Sequence, residues 1–118
     1  MICVCKETSE LTSKLNWIPF GNHNIGNYQP QSNYPTSWSE MLFVFKYSTI
    51  LLEVHLPKNV VDAYSGTDPD AMYNGFYYTN SINAGAVVTY NGTKFSPYGF
   101  YYNGASVASS ATCSVYYR

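Results

Sequence analysis

The sequence predicts an all-β chain, an antiparallel β-sandwich or jelly roll carried behind a short N-terminal segment that is helical or extended. Three observations predict it. From residue 17 onward, short runs rich in β-branched and aromatic residues alternate with clusters of Gly, Pro and Asn. After residue 16 no stretch repeats its apolar residues at helical spacing. Two Asn-Gly dipeptides, Asn91-Gly92 and Asn103-Gly104, stand between such runs and signal tight hairpins. The chain therefore divides into a segment over residues 1–16, a stem end or an anchor, and a β-domain over residues 17–118.

Taken in order, residues 9–15 suit a helix with Ser9 as its cap, and Val4, Leu11 and Ile18 recur at intervals of seven. So short a helix is marginal alone in water, which makes it either frayed or the end of a bundle shared between chains. Residues 17–20 read as a first strand, followed by an Asn- and Gly-rich loop over 21–27 and turn-rich residues 29–35. Residues 39–55 form a hairpin reversing near Tyr47-Ser48. In its first arm Met41, Phe43 and Phe45 oppose Leu42, Val44 and Lys46, so both faces are apolar and the strand is central. In its second arm Ile50, Leu52, Val54 and Leu56 oppose Leu51, Glu53 and His55, a half-exposed pattern that Pro57 ends for want of an amide proton.

Residues 60–70 read as a connection, with Gly66 and Asp68-Pro69-Asp70 as turn chemistry. Strands follow over 72–79, 82–90, 93–95, 99–102 and 112–117, seven to nine in all, without a helix or an internal repeat. At both Asn91-Gly92 and Asn103-Gly104 the residues tolerate the positive φ of a type I′ turn.

Composition narrows the function classes. Of 118 residues only 13 are charged, 6 basic and 7 acidic, giving 11% where about 25% is usual. The 11 Asn, 13 Ser and 9 Thr, with 13 Tyr, must keep the surface wet through amide, hydroxyl and phenol groups. A net charge of -1 leaves no basic stripe to neutralise phosphates, which argues against nucleic acid as partner. The longest apolar runs fall far short of the roughly 20 residues that cross a bilayer, and the polar residues soon after Met1 leave no room for a signal peptide's apolar core. The expected setting is therefore synthesis in a cytoplasm, without membrane insertion. Cys3, Cys5 and Cys113 are odd in number and poorly spaced, so free thiols are expected. Cys3-x-Cys5 with His23 and His55 is a thin donor set for zinc, and neither a metal nor a cofactor is expected.

The succession Tyr34-Pro35-Thr36-Ser37-Trp38-Ser39-Glu40-Met41-Leu42-Phe43-Val44, Val54-His55-Leu56-Pro57, Gly75-Phe76-Tyr77-Tyr78 and Ser114-Val115-Tyr116-Tyr117-Arg118 resembles C-terminal domains of tail, fibre and minor structural proteins of phages and prophages of Gram-positive bacteria. The likeness spans residues 16–118, with Val115-Tyr116-Tyr117-Arg118 its most specific element. It implies a β-rich tip on a fibrous stem, part of the virion, often trimeric, in contact with other virion proteins and with the host surface. The motifs are framework and carry no catalytic signature, so a noncatalytic role is expected. A capsid decoration or head-fibre protein, or a monomeric carbohydrate-binding module, shares this fold and composition.

Candidate chemistry is thin. A glycosidase needs two carboxylates at a set separation, and Glu40, Asp62, Asp68 and Asp70 offer them without a spacing that fixes it. A nucleophile would be Cys113 or a serine beside His23 or His55, yet no Gly-x-Ser-x-Gly elbow occurs. Asp68-x-Asp70 matches a fragment of a calcium loop but lacks its Gly and distal Glu, and suits a turn around Pro69 equally well. Asn91-Gly92-Thr93 matches a glycosylation acceptor, which the hairpin turn explains. The tyrosine surplus carries the functional reading. Tyr77-Tyr78, Tyr101-Tyr102 and Tyr116-Tyr117 each send one ring to either strand face. Exposed phenols stack on sugar rings and hydrogen-bond through their hydroxyls, while subunit contact would bury the same rings. The glycan-binding residues expected are Tyr64, Asp68, Asp70, Tyr73 and Tyr98, around one group of loops and strand ends.

Overall fold

The computed structural model describes residues 16–26, 32–66 and 71–118. The helical reading of residues 9–15, the Cys3, Cys5 pair and the Asp68, Asp70 turn lie outside these residues. Among those described, nine strands form two antiparallel sheets: β1 (Ile18–His23), β2 (Ser32–Asn33), β3 (Glu40–Tyr47), β4 (Ile50–Pro57), β5 (Ala71–Tyr78), β6 (Asn83–Tyr90), β7 (Lys94–Tyr102), β8 (Ala105–Ser106) and β9 (Thr112–Tyr117). The first sheet runs β1-β9-β3-β4 and the second β2-β7-β6-β5, with β8 pairing on β7. They face each other as the predicted antiparallel sandwich.

The residues explain the layering. In β4 the alternation is complete: Ile50, Leu52, Val54 and Leu56 are buried while Leu51, Glu53 and His55 are exposed. β3 lies between β4 and β9 and buries Met41, Phe43 and Phe45 inward and Leu42 outward. Trp17 is buried on that outer side, its ring 5.9 Å from that of His55 and 4.2 Å below the Arg118 guanidinium. The core is aromatic where the sheets meet: Phe43 stands 5.4 Å from Phe95 and Phe45 stands 5.8 Å from Phe100, centroid to centroid. Aromatic contacts of this kind add about 0.5 to 1.5 kcal/mol to the burial itself.

The Tyr47-Ser48 reversal is present, with Ser48 at positive φ. Several local expectations are corrected. Residues 21–23 continue β1 rather than opening a loop, through an irregularity between Pro19 and Asn22 where Gly21 takes φ +85°. A helix, α1 (Lys58–Asp62), follows Pro57 where none was expected. It is a single turn, too short to show periodicity, fastened by Val61 in the core and by a Lys58 to Asp62 ion pair of 2.9 Å. The runs over 93–95 and 99–102 are one strand, β7, that passes Pro97 at a bulge opposite Val87 and Val88. A bulge is where a sheet interior admits proline. The two Asn-Gly turns also differ. Asn103 and Gly104 both have positive φ and close a two-residue loop between Tyr102 and Ala105, as a type I′ turn requires. Asn91 does not have positive φ. Its buried side chain instead accepts hydrogen bonds from the Thr93 and Lys94 amides at 2.8 and 2.7 Å and from the Thr93 hydroxyl at 2.9 Å. Tyr34 closes over this turn, its hydroxyl donating to the Asn91 and Lys94 carbonyls.

Candidate functional site

The five expected glycan-site residues divide. Asp68 and Asp70 lie outside the described residues. Tyr64, just past α1, rests its ring on Tyr90 at 5.8 Å and packs at the margin of the core, as does Tyr73 of β5. Tyr98 is the extra residue of the β7 bulge, between Pro97, which faces Val88, and Gly99, which faces Val87. The register sets Tyr73 opposite Val88 and Val88 opposite Pro97, so Tyr73 and Tyr98 occupy one row of the second sheet with β6 between them. Adjacent strands stand about 4.8 Å apart, so this row separates the two by roughly two strand spacings. Tyr64 belongs to the Tyr90 end of the same sheet.

A more exposed aromatic surface lies on the outer face of that sheet. β5 is an edge strand; the side chains of Ala71 and Tyr73 turn toward the first sheet, and Gly75 stands in the same row. Gly75 is required there: a Cβ would stand 2.7 Å from Leu52 Cδ2 and 2.9 Å from the Glu53 carbonyl oxygen of β4. The alternate residues Met72, Phe76 and Tyr78 therefore point outward and are 52%, 62% and 64% exposed. The Phe76 and Tyr78 rings lie 6.0 Å apart and within 18° of parallel. Across the sheet Phe76 faces Gly85 and Gly85 faces Tyr101. A Cβ on Gly85 would sit 3.5 Å from the Phe76 ring, and one on Gly99 would sit 2.9 Å from the Tyr101 ring, so both rings lie close to glycines. The outward row from Met72 to Tyr101 contains no charged residue. Asn74 and Asn83 stand exposed on it with amides ready to donate and accept.

Composition did signal surplus tyrosine, but a strand over 72–79 with apolar residues on both faces does not say which face is wet. The discriminating sign was Gly75. With apolar residues on both faces of β5, the face holding the empty position is the one that admits another backbone.

A cleft of about 400 Å³ opens on the first sheet beside Asn22, His23, Asn24, Ser109 and Cys113. His23 and Cys113 are register partners on β1 and β9, a neighbourhood that sequence separation hid. Burial raises the Cys113 thiol well above its ordinary range and lowers His23 from 6.5, with the Gly21 backbone partly opposing the latter. A nucleophilic pair needs a thiolate beside a base or imidazolium. Here both groups are held neutral at physiological pH. On the outer side of the same sheet Glu40 is placed 2.8 Å from His55 and 3.4 Å from Arg118, a surface network that fastens the Trp17 cover. Among the described residues no three His, Cys, Asp or Glu side chains converge as a metal site would require. No helix there is long and apolar enough to cross a membrane.

No family model, curated protein or solved structure matches the chain.

Proposed function

We propose that the chain is a noncatalytic structural domain of a phage virion, a β-sandwich at the distal part of a tail or fibre that contributes to assembly and to recognition of host-surface carbohydrate. One observation carries the recognition role: the uncharged row from Met72 to Tyr101 on the outer face of β5, β6 and β7, where Phe76 and Tyr78 lie nearly parallel and exposed beside Asn74 and Asn83. Flat rings stack against the apolar face of a sugar while neighbouring amides and phenols exchange hydrogen bonds with its hydroxyls. A row without charge among its described residues suits a neutral glycan better than an anionic one, because within it no cation offsets desolvation of a carboxylate or phosphate; Lys94 stands at the far end of β7. The likeness of residues 16–118 to phage tail and fibre domains supplies the virion setting, and the low charge and Tyr- and Asn-rich surface agree with it.

The test is a screen of the purified chain on immobilised cell-wall and capsular glycans, repeated with Phe76→Ala and Tyr78→Ala. The expected result is retention of a neutral glycan by the parent chain and a loss of about twofold to tenfold in each variant, since one aromatic contact is worth about 0.5 to 1.5 kcal/mol beyond its area. Binding that is unchanged in both variants, or confined to acidic glycans, overturns the assignment of this face.

A further inference from the structure

A sheet edge offers unpaired amides and carbonyls to any strand that reaches it, and proteins blunt such edges with proline, charge, bulges or brevity. Three of the four edges here carry such devices. β1 has Pro19 and the irregularity at Gly21. β4 carries Glu53 and His55 along its outer face and stops at Pro57. On the far side of β7 the edge is made by β2 and β8, of two residues each. β5 has none of these: its eight residues, Ala71-Met72-Tyr73-Asn74-Gly75-Phe76-Tyr77-Tyr78, contain no charge, no proline and no bulge. Among the described residues its backbone pairs with β6 and with nothing else. β4 meets it through the inner face, at Gly75.

We infer that two copies of the chain join through β5, antiparallel, so that the second sheets of both become one continuous sheet. A strand is the occupant because the edge presents backbone groups at strand spacing. A second copy is that strand because the described residues of each chain leave one unguarded edge, and an isologous pairing about a twofold axis consumes both. Antiparallel pairing opposes side chains of like face, so Met72, Asn74, Phe76 and Tyr78 of one copy meet the same set from the other on the outer surface, with no like charges brought together. The exposed aromatic row of each copy then becomes half of a longer one. This inference stands apart from the glycan reading, since either holds without the other.

The experiment is light scattering on the purified chain with reductant present, over a range of concentrations, combined with amide hydrogen exchange. The expected mass rises from 13.3 kDa to twice that value. The β5 amides that point away from β6 lose exchangeability only in the heavier species, and the double variant Asn74→Lys, Tyr78→Lys, checked for an unchanged melting curve, stays at 13.3 kDa. If the variant fails to fold, exchange in the parent chain decides alone. A mass of 13.3 kDa at every concentration overturns the inference, and a threefold mass does so as well. So does a dimer in which those amides exchange as fast as in the monomer, or their protection in the monomer, which would show the edge covered by the same chain. A monomer that still binds glycan refutes the dimer and leaves the recognition role standing.

Discussion

Asn91 shows how much one side chain organises in a protein poor in charge. Its buried amide oxygen accepts from two backbone amides and one hydroxyl of its own turn, and Tyr34 brackets the same turn from 57 residues away. Replacing it by alanine removes the acceptor of three part-buried hydrogen bonds, which costs about 1 to 3 kcal/mol. The expected melting temperature of Asn91→Ala is therefore lower by about 10 °C, and a shift of a degree or two would show that water takes over these donors. His23 gives the chain a pH dependence of known sign. Burial lowers its pKa from 6.5 in the unfolded reference, and its Nδ1 is buried without a hydrogen-bond partner among the described residues. The unfolded chain therefore takes up a proton that the folded chain resists. The contribution of His23 is complete above about pH 6.5 and is lost as pH falls below it toward the folded value. Melting followed from about pH 8 to about pH 5 should decline on the acid side, and should decline less in His23→Gln. An equal decline in both would assign the effect to other groups.

At the scale of elements, β5 and β4 are held together by an absence. Gly75 has Leu52 Cδ2, the Glu53 carbonyl and Val54 Cγ2 within 3.0 Å of where a Cβ would be. Gly75→Ala must push the two strands apart, and overpacking of this order costs about 1 to 3 kcal/mol. Gly85→Ala on the opposite face is the control, because its nearest neighbour is the side chain of exposed Phe76 at 3.5 Å, an ordinary contact. Loss of stability in Gly75→Ala but not in Gly85→Ala is the expected result in chemical denaturation, and equal losses would mean that the β4 contact does not set the cost. Elements differ in how far they were legible. β4 was readable because one of its faces is wet, which makes alternation visible in the letters. α1, β2 and β8 were not, because one turn or two residues contain no period. The Asn-Gly turns are the instructive case. Identical dipeptides form different turns because Asn103-Gly104 closes a two-residue loop, its Asn side chain tied to Ser81 and Asn83, whereas Asn91 opens a three-residue loop in which its side chain accepts from Thr93 and Lys94. β7 looked like two strands because Pro97 forbids regular pairing, and only the partner strand shows that a bulge absorbs it. For the candidate site, the sequence held the ring types but not their sides: Tyr64 and Tyr73 became core margin, and Phe76 with Met72 became surface.

For the whole molecule, the sandwich turns chemically equal residues into functionally unequal ones. Phe43 and Phe76 carry the same side chain on neighbouring parts of one strand-built body. Phe43 lies between the sheets, fully buried and 5.4 Å from Phe95 of the opposite layer. Phe76 lies outside them on an edge strand. Phe43→Ala opens a cavity where the two layers meet and should cost about 3 to 5 kcal/mol. Phe76→Ala removes a ring that folding leaves mostly in water and should cost about 0.5 kcal/mol or less. Their unfolding curves, measured side by side, test the layering of the whole chain with one substitution type. If Phe76→Ala proves as destabilising as Phe43→Ala, the outer face of β5 is buried by the chain itself and is not available to a glycan or to a second copy. If Phe76→Ala is neutral in stability yet loses glycan retention or self-association, the exposed ring is kept for contact with something other than its own fold.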